Sequence, residues 1–181
     1  AMRLKDTVGG MFEVRVKGLP AGLGSYVQAD KRLDGRLAQA VISIPGIKSF
    51  EVGLGTGYSV SFGSEVHDEI YYTKGKGYMR KTNNAGGVEG GISNGEDLVL
   101  RACMKPICTL MNPLDSINIY TNKYAKAAVE RSDTCVVEAA GVVAESAVAF
   151  VLADALLDKF GQDNLSDIKK SFAAYLKRIK K

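Results

Sequence analysis

One histidine and three cysteines are the only imidazole and thiolate ligands that this 181-residue chain offers a transition metal. His67 has no second histidine at ligand spacing, and Cys103, Cys108 and Cys135 form no C-x-x-C motif, which argues against a zinc site. Three cysteines cannot all pair within one chain, so reduced thiols in a cytoplasmic protein fit better than a disulfide framework. A long uninterrupted apolar run is also missing. The most apolar segment, 142–157, is broken by Glu145 and Asp154 and reads as too short and too charged to span a bilayer. No N-terminal signal peptide is visible, and Ala1 before Met2 reads as a scar of tag cleavage. The excess of basic residues is small: 24 Lys and Arg against 20 Asp and Glu, for a formal charge of +4. That balance suits anionic small molecules and is too weak to argue for nucleic acid. There is no G-x-x-x-x-G-K-[ST] motif, and Gly86 to Gly91 does not lead from a clear strand into a helix as a dinucleotide fingerprint requires.

The composition that remains is that of a soluble globular protein, 46% hydrophobic and 24% charged. The length suffices for one domain with a real core, and without an internal repeat or convincing linker residues 1–181 read as a single domain.

Met11 to Lys17 alternates, with Phe12, Val14 and Val16 on one face, and predicts a half-buried strand. A loop follows over Gly18 to Gly24. Asp30 is placed to cap a helix carrying Leu33, Leu37, Val41 and Ile44 on one side, ended by Pro45-Gly46. Ile47–Val52 and Tyr58–Phe62 read as strands. From Gly63 to Gly95 the chain is polar and glycine-rich, and reads as a functional loop that orders around a ligand or partner. Asp97–Met104 and Ile117–Tyr120 read as further strands, and Thr121 or Asn122 as the cap of a short helix through Val129. Val142 to Phe160 is apolar nearly all round and predicts a buried helix stopped by Gly161. Leu165, Ile168, Phe172, Tyr175 and Ile179 trace one stripe of a last amphipathic helix, whose basic end suits the helix macrodipole. Strand groups alternating irregularly with single helices predict an α+β fold with mainly antiparallel sheet.

The densest feature is Thr82-Asn83-Asn84-Ala85-Gly86-Gly87-Val88-Glu89-Gly90-Gly91-Ile92-Ser93-Asn94-Gly95, with five glycines. Successive backbone N–H groups in such a loop can form a concave anion nest. By composition alone, a ligand cradle and a long flexible turn remain equal readings.

This loop belongs to a series of separated blocks: Gly-Leu-Pro-Ala-Gly-Leu-Gly-Ser-Tyr (18–26), Arg32-Leu33-Asp34-Gly35-Arg36-Leu37-Ala38, Gly63-Ser64-Glu65-Val66-His67-Asp68, Lys105-Pro106-Ile107-Cys108-Thr109-Leu110 and Arg131-Ser132-Asp133. In order and spacing they resemble the C-terminal half of chorismate synthase, from about Asp6 to about Leu157. The family's N-terminal half, with its catalytic histidines and further arginines, has no counterpart in the sequence. The resemblance implies a fold in which helices pack with mainly antiparallel sheets in a β-α-β sandwich, and assembly as a homotetramer. It implies a lyase of the shikimate pathway and of aromatic amino acid biosynthesis. That enzyme makes chorismate by 1,4-elimination of phosphate from 5-enolpyruvylshikimate 3-phosphate and requires reduced FMN.

The resemblance also implies site residues. Lys105, Pro106, Ile107, Cys108 and Thr109 bind the flavin, with Lys105 and Thr109 near its phosphate end. Gly90 approaches FMN, as do Pro45 and Gly46, where the departure from the family's frequent Pro-Ala or Asn-Ala favours a backbone contact. Arg131 suits a carboxylate or phosphate through its bidentate fork. Asp133 is the catalytic candidate, a carboxylate open to tuning by burial and by that cation; a local surface pair with Arg131 is the alternative. Glu138 stands where the family usually has proline. Arg80, Asn83 and Asn84 are second-tier candidates, His67 reads as structural, and no metal is called for. On this reading the chain is the C-terminal, flavin-contacting portion of the enzyme, a natural or deliberate truncation inactive alone. The alternative is a non-catalytic oligomerising fragment that keeps the fold without productive flavin binding. In either reading no nucleic acid and no membrane take part.

Overall fold

The structure is a computed structural model, and it describes residues 1–75 and 77–179. Three strands, β1 (Gly10–Val16), β2 (Ile47–Val52) and β7 (Leu98–Met104), form an antiparallel sheet in the order β1-β7-β2. Val14 faces Leu100 across one seam and Val52 faces Leu100 across the other. The central strand is apolar because it has neighbours on both edges and helices over it: Leu98, Leu100 and Ala102 are buried. Helix α1 (Leu33–Ile42) and helix α3 (Val137–Phe160) pack together, α1 against β2 and α3 against β1. Leu23, Leu33, Leu37, Leu98 and Val148 are fully enclosed between them, each contributing about 1.5–3 kcal/mol by leaving water. Helix α4 (Leu165–Ile179) returns through Ile168, Phe172 and Tyr175, which pack on this core. The Phe160 and Phe172 rings meet edge to face at 5.2 Å, and the Tyr175 hydroxyl donates to the Ala21 carbonyl at 2.7 Å.

Several elements differ from expectation. Helix α1 has no side-chain cap from Asp30, which lies in a preceding 3₁₀ turn, Ala29–Lys31. Its first amide, that of Leu33, instead donates to the carbonyl of Gly91 at 2.8 Å, so the glycine loop caps the helix. Tyr58–Phe62 is not a strand. Gly53 and Gly55 take positive φ, and Gly55–Val60 coils into a 3₁₀ helix with Val60 87% exposed. The period-2 pattern there has no sheet face to bury.

The stretch from Gly63 to Gly95 is built from short elements: helix α2 (Gly63–Val66), a hairpin of β3 (Ile70–Thr73) and β4 (Gly77–Arg80), and a smaller hairpin of β5 (Val88–Glu89) and β6 (Ile92–Ser93). The helix expected after Thr121 is absent. β8 (Asp115–Asn118) pairs with β9 (Lys123–Lys126), and Asn122, at φ 56, closes the turn between them.

Helix α3 starts at Val137, five residues before the expected start, and is buried on one face only. Ala140, Ala144, Val148, Val151, Leu152 and Ala155 face the core at helical spacing, while Val142, Val143 and Phe150 are 65%, 51% and 79% exposed. Its 24 residues are, by length and composition, enough to cross a membrane, which corrects the reading of this segment as too short. The same test is passed by core helices, and this one is packed on the sheet and on α1. All the strand pairings described are antiparallel, so the α+β class with mainly antiparallel sheet is the observed one.

Candidate functional site

The residues singled out in the sequence gather at the two ends of β7. At its C-terminal end the chain leaves Met104 into Lys105-Pro106, and the Lys105 amide donates to the Gly46 carbonyl at 2.9 Å. Gly46 takes φ +86, and a Cβ there would lie 2.9 Å from the Met104 methyl carbon. Proline then glycine thus turns the chain out of α1 and sets the Gly46 carbonyl beside Lys105. The Thr7 hydroxyl donates to the Ile107 carbonyl at 2.6 Å, and the Ser132 hydroxyl donates to the Thr109 carbonyl at 3.0 Å. The Val8 amide reaches the Thr134 carbonyl at 2.9 Å. These links tie Pro45-Gly46, Lys105 to Thr109 and Arg131 to Asp133 to one end of the sheet.

Lys105, Pro106, Cys108, Arg131 and Asp133 are all exposed there. Among the described residues, neither Lys105 nor Arg131 takes part in an ion pair. Asp133 lines an open groove of about 870 Å³ with Met2, Leu4, Thr134 and Cys135. Two cations outside the ion pairs and the nearby Thr109 hydroxyl make a donor set suited to a phosphate or carboxylate.

Gly90 is elsewhere. It sits with Gly91 in the two-residue turn between β5 and β6, both at positive φ (61 and 88), as a tight hairpin turn demands. This end of the molecule lies by Leu98, where β7 begins: a Cβ on Gly87 would sit 2.8 Å from the Leu98 Cα. The rise of β7 separates it from Lys105 by about 20 Å. A cavity of about 370 Å³ there is lined by Asp34, Tyr58, His67, Asp68, Glu89 and Gly90. The loop's glycines serve different ends. A Cβ on Gly86 would come within 2.2 Å of the Gly53 amide nitrogen, and one on Gly91 within 2.6 Å of the Ser25 carbonyl, whereas one on Gly90 would meet nothing within 4 Å. Gly86 and Gly91 are therefore required by packing within the chain. Gly90 leaves open backbone, which fits the approach of a planar ligand.

Here the expected anion nest exists, and it is already filled. The amides of Asn84 and Ala85 donate to the Asp68 carboxylate at 2.8 and 2.9 Å, and the Thr82 hydroxyl donates at 2.6 Å. Partial burial raises the Asp68 pKa, but these three donors and the charge of Arg80 outweigh it and hold the carboxyl below its ordinary value. Burial, aided by Asp68 and Glu89, pushes the Tyr58 hydroxyl upward. Asn83 and Asn84 are structural: their side chains donate to the carbonyls of Asp97 and Val66 at 2.8 and 3.0 Å. Arg80 pairs with Glu89 at 2.6 Å. Asp68 escaped sequence reasoning because its partners lie 14 to 17 residues away, with no local pattern to announce them.

Known proteins resemble this chain over most of its length. The family model described as "Chorismate synthase" matches residues 1–157. The chorismate synthase of Moorella thermoacetica is 57% identical over 170 residues, covering 94% of this chain and 44% of that protein. That of Geobacter sulfurreducens is 53% identical over 182 residues, covering 97% and 46%. A solved structure titled "Crystal Structure of Chorismate Synthase" superposes with a TM-score of 0.82 at 44% identity, covering 99% of this chain and 46% of that one. The chain spans about half the length of the curated relatives it matches, and matches their C-terminal portion. On the family model's coverage and these identities, the chain belongs to the chorismate synthase family.

Proposed function

We propose that this chain is the C-terminal, flavin-contacting portion of a lyase that forms chorismate from 5-enolpyruvylshikimate 3-phosphate. The reaction breaks the C–O bond to phosphate and a C–H bond, and makes a new C=C bond. The observation that carries the reading is the convergence of Lys105 to Thr109 and Arg131 to Asp133 on one exposed surface, joined by the Ser132–Thr109 hydrogen bond, in a chain of this family. Lys105 and the Thr109 hydroxyl would hold the phosphate end of FMN, with Pro106, Ile107 and Cys108 lining that strap and Pro45-Gly46 supporting it from behind. Arg131 orients a carboxylate or phosphate in its planar fork. Asp133 holds or moves a proton beside it, with Ser132 fixing the segment. When bound, reduced FMN supplies the reducing isoalloxazine that the elimination requires without net redox change.

Gly90 lies by the other end of β7, with about 20 Å of strand rise between that end and Lys105, and in a homo-oligomer a second copy would bring a further Gly90 turn to the Lys105 surface. The chain alone is incomplete on this reading, since more than half of each of these two relatives lies outside the match. Mixed with a relative's N-terminal half, reduced FMN and substrate, it should form chorismate; no product from a folded mixture counts against the reading. Lys105→Ala should weaken binding of oxidised FMN about tenfold or more, read from the visible spectrum, and an unchanged titration removes the phosphate anchor.

A second reading, a non-catalytic oligomerising fragment, is favoured by the apolar strip Val142, Val143 and Phe150 left open on α3. It predicts association without any flavin spectral shift.

A further inference from the structure

The turn that precedes Gly90 is gripped by the Asp68 side chain. Asp68 accepts three hydrogen bonds from the turn Thr82 to Ala85, at 2.6 to 2.9 Å. Two of those donors are consecutive backbone amides, the arrangement that elsewhere binds an external anion. The turn is then fastened outward. The Asn84 carbonyl accepts from the Leu54 amide at 2.7 Å, and Asn83 bridges the Asp97 carbonyl and the Gly87 amide at 2.8 and 3.0 Å. The β5–β6 hairpin with its Gly90-Gly91 tip springs from Val88, the residue after this fastened stretch. Asp68 and Gly90 also line one cavity.

We propose that Asp68 is a positioning residue: by filling the amide nest of the Thr82–Ala85 turn it fixes how the Gly90 turn presents its backbone, a role that rests on the reading of Gly90 as a flavin contact. The filled nest has a second effect. Its two amides are withdrawn from any phosphate, and the cavity's carboxylates Asp34 and Glu89 are matched by Arg32 and Arg80. A phosphate finds no free amide pair there, so Gly90 offers its open backbone to an uncharged ring face.

The test has a flavin-free arm and a flavin arm, both on the full chain. Asp68→Asn keeps the shape but loses the charge, and Thr82→Val removes one donor with little change of volume. Amide hydrogen exchange at Asn84 and Ala85 should accelerate at least tenfold in Asp68→Asn and less in Thr82→Val. Titration with oxidised FMN should show affinity falling about tenfold in Asp68→Asn, less in Thr82→Val, and about tenfold in Gly90→Ala. The double variant Asp68→Asn/Gly90→Ala should bind no more weakly than the worse single, because both act through the same turn. Additive losses make Asp68 merely structural and overturn the proposal. So do unchanged exchange at the two amides, or an FMN affinity in Asp68→Asn equal to that of the parent. If the parent chain binds no FMN, the flavin reading itself fails and the positioning role falls with it. That outcome is told apart because exchange in Asp68→Asn still accelerates.

Discussion

Alanine placed at Gly86 and at Gly90 separates packing from ligand contact. Both glycines have φ +61, so both substitutions pay the left-handed penalty of about 1–2 kcal/mol. At Gly90 that is the whole cost, since the new methyl meets nothing within 4 Å. At Gly86 the methyl would lie 2.2 Å from the Gly53 nitrogen, 2.5 Å from its Cα and 3.0 Å from the Val99 carbonyl. All three are backbone atoms in hydrogen-bonded positions: the Gly53 amide donates to Val99 at 2.9 Å and the Val99 amide donates to Gly86 at 3.0 Å. Relief requires moving the loop off the edge of the sheet, which adds about 1–3 kcal/mol of overpacking strain. For a chain of this size each kcal/mol lowers Tm by about 2–4 °C. Thermal melts followed by circular dichroism should therefore show Gly90→Ala about 3 °C below the parent and Gly86→Ala about 10 °C below it. Equal melting of Gly86→Ala and parent, or a larger loss at Gly90 than at Gly86, would refute the reasoning.

Two further outcomes follow from the same geometry. The folded Asp68 carboxyl lies below its ordinary value of 3.8, so its contribution to stability is complete above that pH and disappears as pH falls through the lowered folded value. Melts from pH 7 to pH 3 should show the gap between the parent and Asp68→Asn closing only below about pH 4; a gap constant with pH would show that the charge is not what holds the turn. On the proposed reading, in which the carboxylate serves proton transfer and not anchoring, Asp133→Asn in an intact chain should slow turnover by about 10²–10⁴ while leaving FMN affinity within a few fold. Unchanged turnover removes Asp133 from the chemistry.

Legibility in the sequence followed the length scale of the forces. β1, α1 and α4 are written in local periodicity, and Val14, Leu33, Leu37 and Val41 are buried where that pattern places them, with Ile168, Phe172 and Tyr175 packed on the core. The errors arose where non-local contacts decide. Asp30 looked like a helix cap, but a carbonyl from Gly91 took that position. Tyr58 to Phe62 alternates like a strand, yet Gly53 and Gly55 at positive φ lead the chain into a 3₁₀ helix over Gly55–Val60. Val142, Val143 and Phe150 are as apolar as their neighbours, and only the placement of the sheet shows that they face outward. For the site, spacing placed Lys105 and Arg131 in named blocks, but their joining through Ser132 and Thr109 spans 23 residues and has no sequence signature. The glycine loop was correctly marked as unusual; that its amides embrace the chain's own Asp68 was not readable.

The order β1-β7-β2 gives the chain a timing problem. Among the described residues the outer two strands do not pair with each other, and each pairs with the middle one, whose Met104 faces Gly10. Strands β1 and β2 both wait for their shared neighbour, a non-local pairing that slows folding and leaves two strand edges open meanwhile. Chaperone dependence and a temperature-sensitive soluble yield should accompany expression of this chain.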